Sequence, residues 1–209
     1  MTIELLNIDC MKYMATLPDK FFDLAIVDPP YGLGDRLEKG GGKLKNTPMA
    51  KLYRDSSKWD NATPSKEYFN ELFRVSKNQI IWGGNYFDLP PTRCVICWDK
   101  EQYMHTLSQW EMAWTSFDKV AKIFKKQSTD LNRFHPTQKP VKLYDWLLQN
   151  YAKQGDRILD THLGSGSSAI AAHYFGVDFV GCELDNEYYE AACARIKKET
   201  SQVSIFDDL

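Results

Sequence analysis

Residues 22–31 have the sequence FDLAIVDPPY, and the fold can be built outward from them. The apolar run over residues 22–27 is bounded by turn-forming residues, which predicts a buried strand. Asp28 then stands at the C-terminal end of that strand, and in an open α/β sheet this is where ligands bind. Pro29 and Pro30 fix two successive φ angles and lack N–H groups, so the carbonyls of Asp28 and Pro29 are stiffly held acceptors without a local donor.

Tyr31 places a flat aromatic ring beside these acceptors. The arrangement suits an exocyclic amine on a planar heterocycle, because the Asp28 carboxylate and the Pro29 carbonyl would accept its two hydrogens while its ring stacks on Tyr31. From these four residues alone, a strand exit in which Asp28 caps a turn is an equally good interpretation. Motifs elsewhere in the chain have to decide between the two.

The chain has 209 residues, enough for one sizeable α/β domain with a full core or for two small domains. Its formal charge of −2 excludes a global polycation, but the charge is unevenly distributed. Residues 33–58 hold seven Lys or Arg against three acids, and residues 119–142 hold seven against one. Two basic segments on a mildly acidic chain indicate a polyanion bound on one face; solvated loop charge is the alternative for either segment alone.

Five cysteines, an odd number without a secretory spacing, indicate a reducing cytosol and hence a cytoplasmic protein. Because the sequence shows no signal peptide and no long apolar run, we expect no membrane span. Cys94 and Cys97 have the CxxC spacing, but they lie in an apolar strand-like run, where positions i and i+3 face opposite ways. We therefore expect strand packing there and no metal site.

The predicted elements alternate between strands and helices, which is typical of a doubly wound α/β sheet. No helix separates the apolar runs at 94–98 and 111–117, so we expect an antiparallel edge strand on a mostly parallel sheet. The predicted organisation is a single domain over 1–200, with basic loops at 33–58 and 118–134 and a C-terminal tail at 201–209. The first loop is long and glycine-rich, which is typical of a lid or binding loop.

A second group of residues predicts a nucleoside pocket. Residues 160–167, DTHLGSGS, join a strand to a helix, and their glycines let a ligand approach the helix N-terminus. Glu183 ends the next strand, where a carboxylate would bind ribose hydroxyls. Residues 164–169 also satisfy the G-x-G-x-x-A fingerprint, so a nicotinamide dinucleotide is an alternative ligand. Asp160 counts against it, because a carboxylate at the strand end would repel a pyrophosphate but hold a sulfonium or ammonium.

Four motifs follow one another along the chain: DPPY at 28–31, HPTQKP at 135–140, DxxxGSG at 160–166 and GxELD at 181–185. In this order they resemble the β group of amino-methylating DNA methyltransferases, in which the catalytic motif precedes the cofactor motif. The implied fold is the Rossmann-like fold of S-adenosylmethionine-dependent methyltransferases with a permuted motif order. The resemblance covers most of 1–35 and 60–198, and residues 74–87 are similar to short phage-type adenine methylases.

The chain departs from the family pattern at two places. Thr161 and His162 follow the motif acid where the family usually has Pro-Phe, so an imidazole replaces an aromatic ring that lines the cofactor pocket. The chain also has no large target-recognition insert. The basic loops at 33–58 and 118–134 are therefore expected to face the DNA and to supply sequence specificity.

The resemblance implies a site-specific enzyme that moves the methyl group of S-adenosylmethionine to the N6 amine of an adenine flipped out of duplex DNA. Asp rather than Ser at the first position of the DPPY motif resembles the adenine-N6 members. Cytosine-N4 or RNA amine methylation, a nicotinamide-dependent oxidoreductase and a catalytically silent DNA-binding module are the alternatives. The implied catalytic residues are Asp28, Pro29, Pro30 and Tyr31.

The resemblance also implies a cofactor site, and no metal. Glu183 would bind the ribose hydroxyls, and Asp9 would meet the adenine edge. Asp160 and the backbone of 164–167 would hold the methionine end, whose carboxylate Thr137 and Lys139 would help to bind. The implied cofactor-binding residues are Asp9, Cys10, Thr137, Lys139, Asp160, Gly164, Ser165, Gly166, Ser167, Glu183 and Leu184.

Double-stranded DNA is the implied partner, and members of the group often form homodimers. Residues 202–206, QVSIF, resemble the short peptide by which DNA-acting enzymes bind the replication sliding clamp. A tail that packs Ile205 and Phe206 on its own domain is the alternative.

Overall fold

The computed structural model describes residues 1–34, 60–102, 108–127, 134–135 and 137–201. Parts of three predicted segments lie outside these residues. They are most of the loop at 33–58, residues 128–133 of the loop at 118–134, and the tail from residue 202 onward with its clamp-like peptide.

The described residues form one eight-stranded sheet in the order β1-β8-β7-β2-β3-β5-β4-β6. Its strands are β1 (Ile3–Asn7), β2 (Phe22–Val27), β3 (Ser76–Trp82), β4 (Val95–Asp99), β5 (Trp110–Thr115), β6 (Lys122–Lys125), β7 (Arg157–Asp160) and β8 (Asp178–Glu183). The five strands from β1 to β3 across the sheet are parallel, β5 is antiparallel to both its neighbours, and β6 is parallel to β4. The predicted mostly parallel sheet is confirmed.

The antiparallel strand does not lie at the edge, where we expected it. β5 pairs with β3 on one side and with β4 on the other, so it is an inner strand. The edge strand is β6, which arises within the basic segment predicted to be a loop. Burial alternates along KIFK, with Lys122 and Phe124 half-buried and Ile123 and Lys125 exposed. The Phe124 ring packs on Trp146 with ring centroids 5.5 Å apart, which helps to hold this short, lysine-flanked segment in the sheet.

Helices cover both faces of the sheet, as a doubly wound fold requires. They are α1 (Cys10–Ala15), α2 (Lys66–Val75), α3 (Val141–Tyr151), α4 (Ser167–Phe175) and α5 (Asn186–Thr200). Successive β2 residues face opposite ways. Leu24 and Ile26 join the core that contains α3 and α4, and Ala25 and Val27 join the core that contains α1 and α2. The apolar run ahead of the DPPY motif thus belongs to both halves of the core.

The polar residues of the motifs lie at the side of the sheet where the parallel strands end. β2, β3, β7 and β8 all end at this edge, which we call the carboxyl edge, and the antiparallel β5 begins there. Parallel pairing brings Asp28, Asp160 and Glu183 to it, and β5 adds Glu111. In an open α/β sheet this is the edge at which a ligand cleft is expected.

Within the ranges described, no helix has the length and apolar character needed to cross a membrane. The same residues contain no group of three or more His, Cys, Asp or Glu placed to hold a metal ion. Cys94 is buried and Cys97 is half-buried, and both are free thiols.

Candidate active site

A cavity of about 490 Å³ opens at the carboxyl edge. Its wall contains residues predicted for both sites: Asp9, Cys10, Asp28, Pro30, Thr137, Lys139, Gly164, Ser165, Ser167, Glu183 and Leu184. Four predicted residues, Pro29, Tyr31, Asp160 and Gly166, are not part of the wall. The structure therefore joins the predicted amine site and the predicted nucleoside site in one continuous space.

The turn after β7 lets a ligand approach the backbone closely. Gly164 and Gly166 have φ angles of +50° and +75°, in the left-handed region that favours glycine. A Cβ at Gly166 would also lie 2.7 Å from Ile196 Cδ1, so this turn packs directly on α5. Ser167 begins α4 and lines the cavity, so the positive end of the helix dipole meets the same space.

Glu183 is held in the wall by two backbone groups. Its Oε2 accepts a hydrogen bond from the Gly164 N–H (2.9 Å), and its Oε1 accepts one from the Asp185 N–H (3.0 Å). Burial raises the pKa of Glu183, and these hydrogen bonds oppose the rise. The carboxylate is fixed in position and retains lone pairs for a pair of ligand hydroxyls.

Asp160 lies almost fully buried at the end of β7. It accepts hydrogen bonds from the Ser168 hydroxyl (2.6 Å) and from the His162 N–H (3.0 Å). Burial raises the pKa of Asp160 to about 7, although both hydrogen bonds act to lower it. A carboxylate with so little solvation is stabilised by a cation placed nearby.

The His162 imidazole, at the position where the resemblance predicts a phenylalanine ring, lines the cavity. Thr161 Oγ1 lies 2.9 Å from His162 Nδ1 and 2.6 Å from the Tyr68 hydroxyl, so the three side chains form a hydrogen-bonded row. Burial lowers the pKa of His162 to about 4, so the ring is neutral at physiological pH. The polar replacement therefore has hydrogen-bond partners of its own.

Asp9 and Cys10 form the wall where β1 passes into α1. Asp9 is the N-cap of α1, and its Oδ1 accepts a hydrogen bond from the Met11 N–H (2.8 Å). Burial raises the pKa of Cys10 to about 12, so its thiol stays protonated. Leu184 adds an exposed apolar side chain to the wall, which suits the face of a flat ring.

Side-chain contacts to Asp28 hold the DPPY motif in place. The Tyr31 hydroxyl donates a hydrogen bond to Asp28 Oδ1 (2.5 Å), and the Lys139 ammonium contacts Oδ2. The Tyr31 ring stacks on Tyr86, with centroids 5.0 Å apart and an angle of 13° between the rings. One face of the ring predicted to stack on the base is thus covered by a second tyrosine, which the motifs do not single out.

The Lys139 ammonium, predicted to help bind the cofactor carboxylate, is paired with two carboxylates of the protein itself. Its side chain is 2% exposed, and Nζ lies between Asp28 Oδ2 and Glu111 Oε2, the latter at 3.1 Å. An ammonium at this depth requires carboxylate partners. Thr137 does remain in the wall, with its hydroxyl 3.2 Å from His135 Nδ1.

Sequence motifs give little signal for several residues of the site. The His135 ring is buried against Tyr188, with centroids 4.5 Å apart, and both residues line the cavity. Tyr144 occupies a position that the helical period assigns to the core, yet it lines the cavity as well. For Glu111, the available signal is a carboxylate near the start of an otherwise apolar strand. Packing of α3, α5 and β5 brings these residues together.

Comparison with known proteins places the chain in a family. The family model described as DNA methylase, N6_N4_Mtase, matches residues 43–194. The type II methyltransferase M2.DpnII of Streptococcus pneumoniae is 27% identical over 169 residues, which cover 81% of this chain and 57% of that protein. The putative methylase YubD of Escherichia coli K12 is 26% identical over 216 residues, with 90% and 87% covered. The chain thus spans little more than half the length of the first relative.

Solved structures share the fold. The M1.HpyAVI–SAM complex has a TM-score of 0.62 at 19% identity and covers 93% of this chain and 100% of its own. The PvuII DNA methyltransferase, described as cytosine-N4-specific, has a TM-score of 0.64 at 12% identity, with 96% and 90% covered. TTHA0409 of Thermus thermophilus, a putative DNA modification methylase in complex with S-adenosyl-L-methionine, has a TM-score of 0.60 at 17% identity, with 98% of both chains covered. The predicted fold and family resemblance are confirmed, and the chain belongs to the N6_N4_Mtase family of DNA methylases.

Proposed function

We propose that this DNA methylase uses S-adenosylmethionine and acts on the N6 amine of adenine. The observation that carries the proposal is the shared cavity. Asp28, which would accept the target amine, and Glu183, which would bind the cofactor ribose, line the same space of about 490 Å³. Methyl transfer requires the two reactants to meet directly, and one continuous space permits this.

The residues around the glycine turn fit S-adenosylmethionine. Glu183 offers a fixed carboxylate to the ribose hydroxyls, and Leu184 offers an apolar surface to the purine. The buried Asp160 favours a cationic ligand. When bound, the cofactor supplies a methyl group on a positively charged sulfonium. A nicotinamide dinucleotide fits less well, because its pyrophosphate would lie close to Asp160.

Asp28 is the acceptor for the target amine. An aromatic amine is a weak nucleophile because its lone pair is delocalised into the ring. Hydrogen bonds from its two N–H groups to Asp28 and to the Pro29 carbonyl favour a pyramidal nitrogen with a free lone pair. Each Asp28 oxygen can accept a further hydrogen bond besides those from Tyr31 and Lys139. Burial raises the pKa of Asp28, so its carboxylate is also suited to take the proton that the methylated amine releases.

Support for adenine comes from the motif itself. Asp28, rather than a serine, opens the motif, and this resembles the adenine-N6 members of the group. Cytosine N4 is the second candidate, because its amine presents the same two hydrogens to Asp28. The cytosine-N4 specificity of the PvuII enzyme belongs to a neighbour only 12% identical, and that likeness concerns the fold alone.

An adenine in a duplex has to leave the base stack to reach Asp28, at a cost of a few kcal/mol. Tyr86 is 44% exposed and stacks on Tyr31, so the tyrosine pair offers an aromatic surface beside the DPPY motif. We propose that the flipped base stacks on this pair, which would stabilise it by about 1–3 kcal/mol.

The activity is tested by incubating the protein with labelled S-adenosylmethionine and duplex DNA of mixed sequence, followed by nucleoside analysis of the digest. A labelled 6-methyladenine peak is expected. Labelled 4-methylcytosine would replace the adenine assignment by the cytosine one. An RNA sample run in parallel detects an RNA target. The absence of label from DNA adenine, from DNA cytosine and from RNA would contradict methyl transfer.

Two variants separate the amine site from the cofactor site. Asp28→Ala removes the acceptor, so methyl transfer should fall at least about 100-fold while cofactor affinity stays within about threefold. Glu183→Ala should instead weaken cofactor binding, measured by calorimetry in the absence of DNA. Loss of cofactor binding in Asp28→Ala, or unchanged affinity in Glu183→Ala, would contradict the assignment of the two residues to separate functions.

Two partners belong to the proposal: a sliding clamp, because of the resemblance of residues 202–206 to clamp-binding peptides, and a second copy of the chain, because of the family resemblance. Residues 202–206 would bind the replication sliding clamp, and deletion of 202–209 should abolish co-elution with a purified clamp. The chain would form a homodimer, which sedimentation at several protein concentrations tests. A concentration-independent monomer would contradict the dimer.

A further inference from the structure

Four charged side chains form a chain of contacts that ends at the DPPY motif. Lys100 follows β4, Glu111 lies in β5, Lys139 precedes α3 and Asp28 follows β2. Lys100 Nζ contacts Glu111 Oε1, Lys139 Nζ lies 3.1 Å from Glu111 Oε2, and the same ammonium contacts Asp28 Oδ2. Lys139 is therefore the inner cation of the group, shared between two carboxylates.

We propose that Glu111 is a positioning residue for the methyl-transfer reaction, because it holds the Lys139 ammonium so that Asp28 keeps an oxygen lone pair directed at the target amine. The inference rests on the proposed function and adds a residue that the motifs do not contain. Glu111 is not part of the cavity wall and would act through Lys139.

Burial explains why Lys139 needs a second carboxylate. Its side chain is 2% exposed and lies over the Trp82 ring, 5.2 Å from the centroid, and within 6.0 Å of the Tyr31 centroid. A buried ammonium that loses a partner redistributes its N–H donors onto the acceptors that remain. Without the Glu111 charge, Lys139 would turn more of its donors toward Asp28.

Competition for Asp28 is the consequence. The Tyr31 hydroxyl already occupies one site on Oδ1, and Lys139 occupies one on Oδ2. A second contact from Lys139 would take a lone pair that the amine requires, and would also neutralise the carboxylate more completely. The amine gains positive charge as its lone pair attacks, so a neutralised Asp28 would stabilise the transition state less.

The pH dependence of the reaction should report this arrangement. The charge of Glu111 raises the pKa of Asp28 and raises the pKa of Lys139. Removing that charge should therefore move both limbs of the pH–kcat profile to lower pH. The other titratable groups that interact electrostatically with Asp28 are Tyr31, Asp60, Tyr144 and Asp160, and all are retained in the variants below.

The test compares Glu111→Gln in β5 with Glu101→Gln, which removes the same formal charge from an exposed position in the connection between β4 and β5. Glu111→Gln should lower kcat about 10- to 100-fold, leave cofactor affinity within about twofold, and shift both limbs of the profile to lower pH. Glu101→Gln should match the wild type. Glu111→Asp retains the charge and should recover most of the lost kcat with unshifted limbs.

A measurement without cofactor or DNA separates this inference from the proposed function. In protein labelled with ¹³C-aspartate, the Asp28 carboxyl resonance, assigned with Asp28→Asn, should titrate at lower pH in Glu111→Gln than in the wild type.

Wild-type kcat in Glu111→Gln, or a lowered kcat with an unshifted profile and an unshifted Asp28 titration, would overturn the inference. An inactive wild type with a shifted titration would instead contradict only the proposed function. If Glu111→Gln does not fold, Glu111→Ala, which also removes the charge, replaces it in the titration, where an Asp28 titration at lower pH supports the inference and a wild-type curve overturns it.

Discussion

Asp160 is a buried carboxyl that we propose lies close to the sulfonium of the bound cofactor. Burial raises its pKa to about 7, so a large fraction is protonated at neutral pH when no cation is near. A bound sulfonium favours the ionised form, so binding has to release that proton. Above about pH 8 the carboxyl is already mostly ionised and this cost disappears.

We therefore predict that cofactor affinity rises about fivefold as the pH increases from about 6 to 7, reaches about tenfold near pH 8 and levels off above it. Asp160→Asn should bind more weakly and lose most of this pH dependence. Calorimetry in two buffers of different ionisation enthalpy measures both the affinity and the proton released. A wild-type affinity that is flat over this range, or a variant with the wild-type slope, would show that Asp160 does not sense the cofactor charge.

The strand-end acids illustrate what can be anticipated for single residues. Asp28, Asp160 and Glu183 each follow an apolar run, and parallel strands that end at one edge bring them together. The contact between Lys139 and Asp28 joins residues 111 positions apart, and no local pattern encodes it. Its cause is the burial of an ammonium, which becomes visible only once the neighbours are in place.

At the scale of elements, the turn after β3 supports the DPPY motif. Gly83 has a φ of +70°, and a Cβ there would lie 2.6 Å from Tyr31 Cδ1. Gly83 thus allows the left-handed turn and also leaves the space that the Tyr31 ring occupies. Gly155 has a similar φ of +84°, but a Cβ there would meet no atom within 4 Å in the described part of the chain.

These two glycines provide a matched pair of variants. Gly83→Ala and Gly155→Ala should each lose about 1–2 kcal/mol of unfolding free energy from the left-handed backbone. Only Gly83→Ala should displace Tyr31 and Asp28, so its kcat should fall at least about tenfold while cofactor binding persists. Denaturant unfolding and single-turnover methylation measure the two effects. Equal activities in the two variants would mean that the position of the Tyr31 ring against Gly83 does not affect the reaction.

The order of strands and helices along the chain could be predicted from the sequence more completely than the pairing of strands in the sheet. Alternating strands and helices indicate a doubly wound sheet because each element carries its own periodicity. The position of β5 between β3 and β4 could not be inferred, since pairing partners are chosen by packing across the whole sheet. The same placement brings Glu111 to the carboxyl edge, and this explains why sequence motifs do not predict it as a site residue.

At the scale of the molecule, the proposed binding of the target amine at Asp28 requires DNA to approach the carboxyl edge. β6 runs parallel to β4, so Lys125 at its end lies on the side of the cavity. Lys119 precedes β6 on the other side, and its ammonium donates a hydrogen bond to the Asn150 carbonyl (3.0 Å). Equal charges thus occupy opposite ends of one strand.

We predict that Lys125→Gln weakens duplex binding about two- to fivefold at moderate salt and reduces the slope of log K against log salt by about 0.9. Lys119→Gln changes the net charge equally and should leave both quantities near the wild type. Fluorescence anisotropy over a series of salt concentrations measures them. The same slope change in both variants would show that net charge, rather than placement at the carboxyl edge, governs DNA binding.

The amino-acid sequence by itself determined the class of fold, the order of the motifs and the strand-end positions of the acids. Each depends on patterns within a few residues, where apolar periodicity, glycine and proline act directly on the backbone. Tertiary structure alone decided that Lys139 lies between Asp28 and Glu111, that Tyr31 stacks on Tyr86, and that β5 is an inner strand. These features depend on burial and on contacts between distant segments, since the cost of an unpaired buried charge exists only after the chain has closed around it.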